Sequence, residues 1–84
     1  EVYAMALMQI TIIPLGTASP GVGEYIADVE RFLQGRGIEH MLCDMGTVIH
    51  GDTAGLLQLA NEIHNLPFNK GAKRVVTQIM IDDR

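Results

Sequence analysis

The stretch Ile38-Glu39-His40-Met41-Leu42-Cys43-Asp44-Met45-Gly46-Thr47-Val48-Ile49-His50 decides the fold. Ile38 to Cys43 reads as one strand and Thr47 to His50 as the next, with Asp44-Met45-Gly46 between them. Parallel neighbours need a crossover of about a dozen residues or more, so a three-residue connection calls for an antiparallel hairpin.

A helix precedes this hairpin. Val22, Tyr25, Ile26, Val29, Phe32 and Leu33 recur at helical spacing, with Glu24, Asp28, Glu30 and Arg31 on the other side. Ser19 followed by Pro20 signals its start, and Gly35 and Gly37 stop it. Before it, Leu7 to Leu15 alternates β-branched residues with Gln9 and Thr11 and reads as a strand ending at Pro14-Leu15-Gly16. After the hairpin, Asp52 or Thr53 can cap a second helix whose apolar positions are Leu56, Leu59, Ala60 and Ile63. Pro67 is expected to kink or end that helix, because proline lacks the N–H that the helical ladder needs. Arg74 to Ile81 supplies the last strand.

The order is therefore β-α-β-β-α-β in a single domain spanning residues 5–84, with Glu1 to Ala4 read as an expression remnant ahead of Met5. The expected architecture is α+β and ferredoxin-like: a four-stranded antiparallel sheet with two helices on one face. Both parities of the strands are apolar. Met8, Ile10 and Ile12 oppose Leu7 and Ile13, while Ile79 and Ile81 oppose Val76 and Met80. A sheet that is apolar on both sides, with helices on one, wants a partner on the other, and a homodimer or homotetramer is the economical expectation.

Ten acidic and six basic residues are spread over the 84, with no Lys/Arg cluster able to track a phosphate backbone, so no nucleic-acid partner is expected. No apolar run approaches the ~20 residues of a membrane helix, so no membrane partner is expected either. Cys43 is the single cysteine, which excludes an internal disulfide and fits the reducing cytoplasm. On an apolar strand it reads as a small core residue.

Chemistry-bearing motifs are sparse. The loop Gly16 to Gly23 has the glycines and hydroxyls of an anion-binding helix start, but it contains neither the Gly-Lys-Ser/Thr of a P-loop nor a dinucleotide fingerprint. His40, His50 and His64 fall on three elements without metal-ligand spacing, so no metal is expected. An acylphosphatase would share the element order, yet its chemistry needs an arginine in the loop after the first strand, and Gly16 to Gly23 has none. No close carboxylate pair suited to acid/base work is visible, and the chain is not expected to be an enzyme.

Pro14-Leu15-Gly16-Thr17, Ser19-Pro20, Tyr25-Ile26, Met45-Gly46-Thr47, Gly51-Asp52, Gly71-Ala72-Lys73-Arg74-Val75-Val76-Thr77 and Ile81-Asp82-Asp83-Arg84 together resemble the small YkoF-like thiamine-binding protein family. The resemblance covers nearly the whole chain from Met8. It implies the same ferredoxin-like fold, dimers or dimers of dimers, and binding of thiamine or its hydroxymethylpyrimidine moiety without a resident cofactor. Thiamine joins an aminopyrimidine, which wants hydroxyl or carbonyl partners, to a cationic thiazolium, which wants a carboxylate. On that basis Thr17, Ser19, Asp44, Thr47 and Asp52 are candidate polar contacts, Met45 a soft apolar wall, and His50 a group whose protonation would oppose the cation. Tyr3 or Tyr25 would supply any aromatic stacking. The alternative expectation is a regulatory or scaffolding module that binds another protein through its sheet face.

Overall fold

In the computed structural model, which describes residues 5–16 and 22–84, β1 (Ala6–Leu15) lies inside the sheet. One edge of β1 pairs antiparallel with β4 (Arg74–Asp82), from Leu7↔Asp82 to Leu15↔Arg74. Its other edge pairs antiparallel with β3 (Gly46–Gly51), from Ala6↔Gly51 to Ile10↔Thr47. The hairpin partner β2 (His40–Cys43) adds to β3 through His40↔Ile49 and Leu42↔Thr47. The strand order is β2-β3-β1-β4. With α1 (Val22–Gly35) after the first strand and α2 (Thr53–Asn69) after the third, this is the ferredoxin-like α+β arrangement read from the sequence.

Strand alternation divides the sheet into two faces. Ala6, Met8, Ile10 and Ile49 are buried on the helix side, in one cluster with Val29 and Leu33 of α1 and Leu56, Ala60 and Ile63 of α2. Met8, Leu33, Ile49 and Ile63 are completely sealed, and full burial of such side chains stabilises by about 1.5–3 kcal/mol each. The opposite face carries Leu7, Gln9, Thr11 and Ile13 of β1 beside Met41, Val48, Val76 and Met80. Met41 and Met80 are 65% and 70% exposed there. Both apolar parities are thus real, and the helices cover one of them.

Local chemistry explains the boundaries. At the end of α1, Ile38 N–H donates to Leu33 O (2.9 Å) and Gly37 N–H to Gln34 O (3.0 Å), with Gly37 at φ +66°. This is a Schellman closure, in which a residue in the left-handed region lets two amides turn back on the last carbonyls. It corrects the expected second strand. Ile38 belongs to the helix stop and packs against the core, so β2 begins at His40. Asp52 caps α2, its Oδ2 accepting from Gly55 N–H at 3.0 Å.

Pro67 differs from expectation in a smaller way. It lies inside α2, fully buried, and the helix runs on to Asn69. It sits in the last turn, where Lys70 N–H (3.0 Å) and Ala72 N–H (3.1 Å) both fold back onto the Pro67 carbonyl and satisfy that terminal acceptor. The Ser19-Pro20 start signal of α1 lies outside the described residues.

Candidate ligand-binding site

A cavity of about 210 Å³ opens between the first turns of α1, the helix-side face of the sheet and the β2–β3 turn. Its floor is Ile10 and Ile12 of β1 with Thr47 of β3. Tyr25, Ile26 and Val29 of α1 form one wall, and Leu42 to Gly46 the rim. Ile63 of α2 also reaches it.

Besides the β2–β3 pairing, a side-chain bond holds the rim. Thr11 Oγ1 donates to the Met45 carbonyl at 2.6 Å, tying the β2–β3 turn to β1. The tie requires close approach, and Gly46 permits it at φ +152°. A Cβ there would stand 2.6 Å from Thr11 Oγ1 and 2.7 Å from the Ile10 carbonyl oxygen.

Two polar side chains are buried in the cavity wall. Thr47 is 6% exposed, directly opposite Ile10 and Leu42 in the ladders. Tyr25 is 4% exposed, and its hydroxyl is buried with no hydrogen-bond partner among the described residues. Such a group costs about 1–3 kcal/mol in the free protein. Asp44, exposed on the rim, is the one charged residue among the described lining.

Of the residues expected at a site, the structure brings together Asp44, Met45 and Thr47. Thr17 and Ser19 lie outside the described residues. His50 does not join the cluster. It pairs with Leu7 rather than Met8, which puts it on the opposite parity from Thr47, and it lines a second, more open recess with Arg36, Asp52 and Glu62. Cys43 is exposed at the rim of the first cavity, not a core residue, because β2 is a sheet edge and nothing covers it. Among the described residues no group of three or more possible metal ligands gathers.

At the start of β2, His40 joins α1 to the edge strand. Its Nδ1 lies 2.9 Å from the Ile38 carbonyl and its Nε2 lies 3.0 Å from Glu30 Oε1. Both partners accept, so both nitrogens are served as donors only by the imidazolium. The Ile38 carbonyl chiefly, and then the Glu30 carboxylate, hold the His40 pKa above its ordinary value, against an opposing effect of burial.

Residues 8–84 match the family described as thiamine-binding protein. The chain belongs to that family. It is 44% identical to the UPF0045 protein YqgV of Bacillus subtilis, over 95% of this chain and 81% of the relative. It is also 44% identical to a UPF0045 protein of Staphylococcus xylosus, over 95% of this chain and 78% of the relative. Among solved structures, a domain of unknown function from Bacillus cereus superposes with a TM-score of 0.84 at 21% identity, covering 96% of this chain and 77% of that one. A Thermotoga maritima protein, named as a candidate for thiamine biosynthesis or salvage, superposes with a TM-score of 0.78 at 19% identity. There 95% of this chain and 84% of that one are covered. At these identities the superpositions bear on the fold.

Tyr25, expected from the sequence as a stacking residue, does line the cavity, whereas Leu42 reads in the sequence only as part of a strand. Ile26 carried a signal of a kind: it occupies a core-facing helical position yet is 44% exposed, because what lies beside it is the cavity.

Proposed function

We propose that this protein binds thiamine or its hydroxymethylpyrimidine moiety in the cavity beneath α1 and does so without turning it over. The observation that carries the reading is Tyr25, which lines the largely apolar cavity near Thr47 and whose buried hydroxyl has no hydrogen-bond partner among the described residues. An apolar pocket with a few placed polar groups is the usual form of a small-molecule site, and a heteroaromatic ring offers the nitrogens and amino group that would engage such a hydroxyl. Family membership supports the choice of ligand.

Saturating ligand should raise the melting temperature. At a hundredfold excess over Kd the stabilisation is about 2.7 kcal/mol, and each kcal/mol moves a domain near this size by roughly 4–8 °C. Tyr25→Phe gives the sharper test. Deleting an unpartnered buried hydroxyl should leave the free protein as stable or more so, while binding weakens by about 0.5–1.5 kcal/mol. Unchanged affinity in that variant would remove the Tyr25 argument. Chromatography that recovers altered ligand after incubation would instead make the protein an enzyme.

The protein further acts as a homo-oligomer built on the helix-free sheet face, in this reading. The support is the exposure of Met41, Met80 and Ile13 on one side of the sheet. Light scattering at micromolar concentration should exceed the 9.2 kDa of one chain. A monomer there would favour a different protein as the partner of that face. The exposed, unpaired Cys43 is in keeping with a reducing compartment such as the cytoplasm.

A further inference from the structure

We infer that the two ends of the site differ in charge preference: an uncharged ring enters the cavity toward Tyr25 and Thr47, and the cationic ring of the same ligand stays at the rim, where Asp44 selects for it. The inference rests on the thiamine-type reading above and assigns Asp44 the role of specificity determinant for the charged half.

Two observations lead to it. The first is size. At about 210 Å³ the cavity falls below the roughly 300–1,000 Å³ of pockets that enclose a whole drug-sized molecule, so it has room for one substituted ring and not two. The second is charge. The inner described lining is apolar apart from the two buried residues Thr47 and Tyr25, and holds no carboxylate that could accompany a cation inward. Burying an unpaired cation in such surroundings is far costlier than burying a neutral ring that can hydrogen-bond. The neutral ring therefore goes in. The cation remains in solvent contact beside Asp44, which the Thr11–Met45 tie sets at the cavity mouth.

Because Asp44 is exposed, its attraction to a cation is modest and sensitive to salt. Calorimetric titration of the 84-residue chain and of Asp44→Asn, with thiamine and with hydroxymethylpyrimidine, tests the assignment. At about 0.01 M salt, where the Debye length is ~30 Å, Asp44→Asn should bind thiamine about two- to fivefold more weakly. Hydroxymethylpyrimidine, which has no fixed cation, should bind both proteins alike. The thiamine difference should close near 1 M salt, where the Debye length is ~3 Å. Equal weakening of both ligands, or an unchanged thiamine affinity in Asp44→Asn, overturns the inference while leaving the binding function standing. A wild-type chain that binds neither ligand overturns both.

Discussion

Replacing Gly46 with Ala should damage the fold and the site together. The added Cβ would lie 2.7 Å from the Ile10 carbonyl oxygen, an atom of an inner strand that cannot withdraw without disturbing its neighbours. It would also lie 2.6 Å from Thr11 Oγ1, which could rotate away only by giving up its bond to the Met45 carbonyl. The backbone at φ +152° adds strain for any residue with a side chain. Backbone strain of this kind costs about 1–3 kcal/mol and the lost hydrogen bond about 1 kcal/mol, so a total near 2–4 kcal/mol is expected. Melting followed by circular dichroism, at fixed protein concentration, should fall by at least about 8 °C. Gly35→Ala is the control, since a Cβ there meets nothing within 4 Å and alanine suits a helix better. If Gly46→Ala melts within about 2 °C of wild type, the close approach is not a constraint and the rim is softer than argued.

Two further outcomes follow from the packing and from the His40 contacts. Leu33→Ala empties a completely buried position between α1 and the sheet and should cost about 2.7–5 kcal/mol, readable as a shifted denaturant midpoint with an unchanged slope. His40 has its pKa raised in the folded state, so its contribution is fully present below its unfolded value of about 6.5 and is lost as pH rises through the folded value. The melting difference between wild type and His40→Gln should therefore be largest near pH 5.5 and shrink toward pH 9; a difference that grows with pH would contradict the paired imidazolium.

The fold was legible because its deciding feature is local. A three-residue link between two short apolar runs admits one pairing, and the helical spacing from Tyr25 to Leu33 leaves little choice about what precedes it. What misled was a residue serving two elements. Ile38 is β-branched and stands next to the strand, so propensity adds it to β2. The Schellman closure claims it instead, through a bond from its N–H to Leu33 that propensity does not register. Pro67 shows the complementary error. Its missing donor costs the ladder one bond anywhere beyond the first turn, but only two residues of α2 follow it, and its burial in the core together with the amides returning to its carbonyl keeps that last turn helical.

The site was legible to the extent that topology reveals it. Asp44 and Met45 form the turn between β2 and β3, and a turn at the end of a sheet lies at the mouth of whatever the sheet and helices enclose. His50 could have been separated from them on sequence alone. It stands three places from Thr47 on one strand, an odd number, so the two side chains must leave opposite faces. Tyr25 is different. Periodicity puts it on the core side of α1, where a tyrosine ordinarily finds a hydrogen-bond partner for its hydroxyl, and only the assembled structure shows that this one has none among the described residues. That lack of a partner among the described residues depends on how several elements pack together. A linear pattern of residue types does not contain that fact. For this reason the strongest pointer to the ligand is the least visible in the sequence, and Tyr25→Phe, which separates stability from affinity, tests it most directly.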